Sequence, residues 1–241
     1  MKSLVHYTLA ITLTLLSINT GFAQFKKVKG NGNITTKTIT TEDYSEIEVV
    51  GFMDVTLVTG TEGTITVSTD SNIHEYVEIT SNKGVLKLKI KNNVTISTKK
   101  GVNITVPFTA INNLSLTGSG DVETKNTINT THFETELTGS GDMKLDVKAT
   151  SIDAKLTGSG DLILTGNVSD LEIKVTGSGD FVGKNLNAEN VEAYVSGSGD
   201  ISVNATKKLK ARVHGSGDIT YSGNPAATDK KVMGSGDITS H

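Results

Sequence analysis

Asp121, Asp142, Asp161, Asp180, Asp200, Asp218 and Asp237 follow one another at steps of 21, 19, 19, 20, 18 and 19 residues, each closing the tetrapeptide Gly-Ser-Gly-Asp. A carboxylate returning at that interval could ligate a hard cation through oxygen or accept hydrogen bonds from turn backbone. In pairs, such groups could act as acid and base on a glycosidic bond. Stacked Gly-Asp corners are the device of calcium-binding β-rolls, but those repeats return about every nine residues. Here the Asp follows the second Gly directly and the period is about twice as long. One carboxylate per unit also falls short of the roughly six to eight oxygens calcium takes. The spacing favours a structural turn ladder over a cation ladder on these seven residues, and it assigns no catalytic, cofactor-binding or metal residue.

Other reactive side chains are sparse. Beyond the leader the histidines are His74, His132, His214 and His241, at irregular intervals and without the paired spacing of a zinc site. Isolated histidines of that kind read as solvent-facing strand or loop residues. The Gly-Ser-Gly serines lack the G-x-S-x-G elbow and its strand-to-helix setting. Of 23 basic residues only Arg212 is an arginine, tryptophan is absent and aromatic residues make up 5% of the chain. Nucleic-acid binding, which leans on clustered Arg and Lys with stacking rings, is therefore excluded as a working expectation. A polysaccharide-degrading enzyme on a β-helix remains as the alternative reading, because carboxylate pairs are plentiful.

The elements that must hold these aspartates are short alternating strands. Before each corner, apolar residues recur at every second position, as in Ile152, Ala154 and Leu156 or Leu171, Ile173 and Val175. An apolar residue follows every Asp: Val122, Met143, Leu162, Phe181, Ile201, Ile219 and Ile238. A unit of about 19 residues cannot bury its apolar face alone, so equivalent strands of successive units must stack in parallel. The expected fold is all-β: a β-solenoid, parallel β-helix-like, with about 19-residue coils over 111–241. A less regular β region over 24–110, continuous with it, precedes the repeats, and Gly51-Phe52-Met53-Asp54 reads as a degenerate forerunner of the tetrapeptide. A short helical turn is expected within Asp70 to Tyr76.

Stacking imposes requirements on the corner. Its glycines are needed for positive φ or for close approach between coils, and the serine hydroxyls could pass hydrogen bonds along the stack. Unit charges about 4.8 Å apart repel by roughly 0.9 kcal/mol in water and about 3.5 kcal/mol at an effective dielectric near 20. Backbone N–H groups, serine hydroxyls, raised pKa values or bound cations must offset that repulsion.

Residues 1–23 read as a secretory signal peptide: Lys2, an apolar stretch from Leu4 to Leu16, and Gly21-Phe22-Ala23 before Gln24. Nothing later approaches the length of a membrane span. The absence of cysteine excludes disulfides, thiolate metal sites and a lipid-modified N-terminal cysteine. A large secreted chain held only by packing and hydrogen bonds suits a bacterial envelope.

The leader, Gly-Phe-Met-Asp-Val at 51–55, Thr-Gly-Thr-Glu-Gly at 59–63, Gly-Val-Leu-Lys-Leu-Lys at 84–89 and the Thr- or Ser-Gly-Ser-Gly-Asp corners carry a further signal. Together they resemble the putative auto-transporter adhesin family with the head GIN domain, common in Bacteroidetes envelope proteins. The resemblance implies a secreted solenoid-like β protein of a Gram-negative bacterium, with adhesion as a label. The sequence ends four residues after Asp237, which leaves no room for a C-terminal membrane barrel. The expectation is a non-enzymatic, adhesin-like binding or structural module exported across the inner membrane to the periplasm or cell surface. It needs no cofactor, and its partner would be an envelope or surface component, glycan or protein, or a second copy of the chain.

Overall fold

The computed structural model describes residues 26–241, so the expected leader Met1–Ala23 lies outside the described residues. Across the repeats the chain winds into stacked parallel coils, with each corner laid on the last. Gly118 pairs with Gly139, Gly139 with Gly158, Gly158 with Gly177, Gly177 with Gly197, Gly197 with Gly215 and Gly215 with Gly234. The fold is the expected β-solenoid.

One coil shows how the sequence bends the strand. Met143–Gly158 is a single 16-residue strand in which Met143, Leu145 and Val147 are buried, and then Ile152, Ala154 and Leu156. Side chains of a strand alternate between faces, so the odd step from Val147 to Ile152 shifts the phase. The chain bends there and keeps its inward side inward. Each coil therefore has an outgoing half after the Asp and a returning half before the next Gly-Ser-Gly, and these halves stack into two faces around one apolar core. At the bend, Asn167, Asn187 and Asn204 form an amide ladder, with bonds of 3.2 and 2.9 Å between successive coils.

The N-terminal region joins the same stack, but not in chain order. Glu46–Gly51 and Asp54–Thr59 flank the forerunner corner and pair in parallel with Asn113–Gly118 and Val122–Thr124 of the first repeat. On their other side lie segments that come later in the chain, Val85–Ile90 and Asn103–Phe108. Antiparallel strands finish this end: Val77–Asn82 on the returning face, and Thr64–Asp70 followed by Ile34–Thr40 on the outgoing face. A 3-10 turn, His74–Tyr76, links them. These antiparallel strands end the parallel ladder, as the atypical terminal unit of a repeat array does.

At the opposite end the returning strand Ala227–Gly234 is exposed throughout. Its Lys230 replaces the buried Ala211 of the coil beneath and lies on the Tyr221 ring, with the ammonium 4.8 Å from the ring centroid and 2.9 Å from the hydroxyl. An inward charge of this kind discourages another strand from adding.

Candidate binding face

The aspartate file is a hydrogen-bonded ladder. Oδ1 of each Asp accepts the main-chain N–H of the next: Asp121 from Asp142 at 3.0 Å, Asp142 from Asp161 at 2.9 Å, Asp161 from Asp180 at 3.0 Å and Asp180 from Asp200 at 2.8 Å. Asp200 accepts from Asp218 and Asp218 from Asp237, both at 2.8 Å. Asp54 of the forerunner corner accepts from Asp121 at 3.3 Å and so begins the file. Backbone donors, one of the four means of offsetting repulsion, are in place at every step of the file. The serines stand exposed between the glycines, and among the described residues carboxylates, not serine hydroxyls, link corner to corner. No set of three or more His, Asp or Glu side chains among the described residues is arranged to hold a metal ion.

The glycines permit this stacking in two ways. The first of each corner has positive φ, +126° at Gly158 and +118° at Gly177. The second is a close-approach position: a Cβ on Gly160 would lie 1.8 Å from the carbonyl oxygen of Gly141, and one on Gly179 2.0 Å from that of Gly160.

Charged side chains concentrate on the wet side of the returning face, where the register sorts them into columns. One column carries Glu134, Asp153, Glu172 and Glu192; the next carries Lys155, Lys174, Tyr194, Arg212 and Lys231. A third, beside the corner, is hydroxyl-bearing: Thr117, Thr138, Thr157, Thr176 and Ser196. Like charges directly opposite one another on neighbouring strands are destabilising. Here the adjacent column of opposite sign offsets them, with Lys155 3.9 Å from Glu134, Lys174 paired to Glu172 and Arg212 to Asp229, and within the acidic column itself Lys210 follows Glu192 at 2.9 Å. These are exposed pairs, each worth little to stability; their consequence is a patterned surface.

Tyr194 is the centre of this pattern. Its hydroxyl donates to Glu192, and the ammonium groups of Lys174 and Lys210, from the coils on either side, lie 5.8 and 5.4 Å from its ring centroid. The Tyr194 hydroxyl, and then Lys210, hold the Glu192 carboxyl below its usual range. Arg212 does the same for Asp229. Lys210 is pushed upward by hydrogen bonding to Tyr194 and Glu192.

Four hollows lie along this face. A groove of about 420 Å³ runs between the bend and the acidic column, from Ser151 and Asp153 past Asp170, Glu172, Glu192, Lys208 and Lys210 to Asp229, with Leu171, Val191 and Leu209 also lining it. Three more, of about 220, 410 and 180 Å³, share Glu134 as a wall.

The isolated histidines occupy different settings. His74 is buried against Thr35, 3.0 Å from its hydroxyl and 3.1 Å from its carbonyl oxygen. His214 and His241 are exposed. His132 brings together a set the sequence did not suggest, with Nδ1 2.8 Å from Ser151 Oγ and Nε2 3.6 Å from Asp153 Oδ2. The set has triad atoms without triad surroundings. The His132 and Asp153 side chains are 53% and 43% exposed, and the Thr150 and Ser151 N–H groups already donate to Thr131 O. Neither can serve as an oxyanion donor. The signal that could have found the charge columns is the 19-residue recurrence of Glu134, Asp153 and Glu172, which acquires meaning only once the register is known.

Several crystal structures share this fold. An adhesin described as putative from Bacteroides fragilis is 23% identical, superposes with a TM-score of 0.83, and the match covers 89% of this chain and 100% of that one. A Parabacteroides distasonis protein described as a putative lipid binding protein is 28% identical, with a TM-score of 0.75 and coverage of 90% and 100%. A putative adhesin from the same species is 26% identical, with a TM-score of 0.73 and the same coverage. No curated protein matches. The family model for the putative auto-transporter adhesin, head GIN domain, matches residues 43–225, from the forerunner coil through the sixth Gly-Ser-Gly-Asp corner, and the chain belongs to that family.

Proposed function

We propose that this chain is a non-enzymatic binding module of the Gram-negative cell envelope, exported by its leader and adhesin-like in action, with the returning face as its contact surface. The observation that carries this reading is the coincidence on one face of the charge columns and the hollows. The structural relatives described as adhesins fit it.

Two carboxylates of the main groove, Glu192 and Asp229, sit beside a lysine and an arginine, as those of a polysaccharide-degrading enzyme would, but these two are tuned away from the role of its acid. A glycosidase acid needs a raised pKa and a lysine base a lowered one. Glu192 and Asp229 are lowered and Lys210 is raised, which suits fixed charges for recognition.

Screening the mature protein against arrays of glycans and purified envelope components tests the proposal. Saturable binding that falls when Glu172 and Glu192 are both replaced by Gln is expected. Release of reducing ends from any of the glycans, abolished by the same substitutions, would overturn it in favour of catalysis.

A further inference from the structure

We infer that Asn31 is a self-catalysed modification site, at which the loop 30–33 and the buried carboxylate of Asp70 deamidate the Asn31 side chain without an enzyme. The loop joins Lys26–Lys29 to Ile34–Thr40 in the N-terminal cap, and none of its residues lines a hollow of the returning face. The inference is therefore independent of the binding-module reading.

Asn31-Gly32 is the one Asn-Gly step in the sequence. An asparagine side chain is attacked by the main-chain nitrogen of the residue that follows it, and glycine has no side chain to hinder that attack. Both residues are exposed, so water reaches them. The structure adds three groups at the reacting atoms. Gly32 N–H donates to Oδ1 of Asp70, a carboxylate placed to take the proton that the attacking nitrogen must lose. Asn33 N–H lies 3.0 Å from Asn31 Oδ1, where negative charge develops as Cγ is attacked. Ser71 Oγ lies 2.8 Å from Asn31 Nδ2, the leaving nitrogen.

The Asn33 bond closes an Asx turn, whose ring of atoms includes Asn31 Cγ and Gly32 N and so holds the reacting pair together. Asn72 Oδ1 fixes the loop from outside by accepting Asn31 N–H at 3.0 Å. Asp70 is 2% exposed, and its Oδ2 meets no hydrogen-bond donor among the described residues. A buried polar atom without a partner is rare and calls for a role. A Cβ on Gly30 would fall 2.4 Å from that oxygen, so glycine there lets the loop close over the carboxylate.

In the reaction Gly32 N gives its proton to Asp70 and bonds to Asn31 Cγ, and the carbonyl electron pair moves to Oδ1. When that pair returns, the Cγ–Nδ2 bond breaks. Nδ2 leaves as ammonia with a proton from the Ser71 hydroxyl, and the proton that Asp70 took restores Ser71 through solvent. Water then opens the succinimide at either carbonyl, leaving aspartate or isoaspartate at position 31 and one added negative charge.

The test incubates freshly produced mature protein in neutral buffer beside a synthetic peptide of residues 27–36. Mass spectrometry follows loss of the Asn31 amide in both, and isoaspartyl methyltransferase labelling identifies the isoaspartate. Conversion in the folded protein is expected to be about tenfold faster than in the peptide, short of the full effect of a general base because an amide N–H is a poor acid. Asp70→Asn should remove that advantage, and Ser71→Ala should slow conversion severalfold, with circular dichroism unchanged in both.

A folded protein that keeps its Asn31 amide as long as the peptide does, or longer, would show that these contacts protect the site and would overturn the inference. An unchanged rate in folded Asp70→Asn would overturn it as well. Should Asp70→Asn fail to fold, the peptide comparison still decides, and an unchanged rate in Ser71→Ala would count against the assembled site.

Discussion

Replacing Gly160 by alanine adds one methyl group at the closest contact between two coils. The new Cβ would stand 1.8 Å from the Gly141 carbonyl oxygen and 2.9 Å from its carbon. No rotamer relieves this, because the clash is with backbone and the added atom has no torsion of its own. Restoring ordinary van der Waals contact requires the two corners to separate by about 1.5 Å, and packed backbones resist such shifts.

Three bonds are donated across that corner by its own N–H groups: Ser159 N–H to Gly139 O at 2.8 Å, Gly160 N–H to the same oxygen at 3.2 Å, and Asp161 N–H to Asp142 Oδ1 at 2.9 Å. A separation of about 1.5 Å breaks all of them. At about 1 kcal/mol net for each neutral bond and about 1.5–3 for the one to a carboxylate, the expected destabilisation is about 3–5 kcal/mol. For a chain of this size that lowers Tm by roughly 10 °C.

Two glycines outside the repeat calibrate the measurement. Gly32 has φ +80° and no atom within 4 Å of an added Cβ, so Gly32→Ala should cost only the left-handed penalty of about 1–2 kcal/mol. Gly60 has ordinary φ and a single neighbour, Pro107 Cβ at 3.3 Å, so Gly60→Ala should be within about 0.5 kcal/mol of the parent. Urea unfolding followed by circular dichroism reads all three. If Gly160→Ala cost less than Gly32→Ala, the corners would be loose loops and the close-stacking argument would be refuted.

Three further outcomes are expected. Thr135 is 1% exposed and its Oγ1 has no hydrogen-bond partner; Thr135→Val should therefore raise stability by about 1 kcal/mol in thermal or urea melts, and a loss would show a hidden partner. Burial, then the charges of Glu62 and Asp43, push the Tyr44 phenol well above its usual range, and it donates to the Pro107 carbonyl. Its folded pKa being raised, the contribution is present below the unfolded tyrosine pKa of about 10 and is lost as pH rises beyond it; ultraviolet titration should find one tyrosine, absent in Tyr44→Phe, that ionises only with unfolding. In the aspartate file, Asp161→Ala should cost about 1.5–3 kcal/mol and Asp161→Asn under about 1, because an amide oxygen still accepts the Asp180 N–H, and millimolar calcium should leave Tm unchanged; a saturable rise in Tm that Asp161→Asn with Asp180→Asn abolishes would make these residues ligands.

The repeat coils were legible because each requirement is local and recurs. The apolar residue after every Asp, the alternation before every Gly-Ser-Gly and the glycines themselves can be read along the chain, and they are buried or stacked as that reading requires. The N-terminal cap was not legible. Val85–Ile90 and Asn103–Phe108 alternate like any coil, and nothing in their residues says that they pair outside Glu46–Thr59, which precedes them in the chain. That placement depends on non-local pairing. The returning face lies between these cases. Glu134, Asp153 and Glu172 are ordinary wet-face residues taken singly. Alignment in one column depends on coil lengths that vary by up to three residues, and the bends absorb the difference, with irregular pairing between Gly183 and Asn187.

The corner also explains why its last residue is an aspartate. Two sets of bonds hold neighbouring corners, and they run in opposite directions. Met143 N–H donates forward to Asp161 O at 2.9 Å, while Asp161 N–H donates back to Asp142 Oδ1 at 2.9 Å. In a regular parallel ladder a main-chain carbonyl would take the second role. Here the glycine turn interrupts the ladder, and a side-chain oxygen three bonds beyond Cα supplies the acceptor that the turn displaced. Asparagine could supply the same oxygen without charge. A charged acceptor forms a hydrogen bond roughly twice as strong as a neutral one, a gain of about 1 kcal/mol per corner. Against it stands repulsion of roughly 0.9 kcal/mol per neighbouring pair in water, further reduced by salt because the file is at the solvent edge and the Debye length is about 8 Å at physiological ionic strength. The two effects nearly cancel at low salt and favour aspartate as salt rises. A solenoid edge can therefore carry one carboxylate per coil with no bound cation, provided every N–H that faces a carboxylate remains in place.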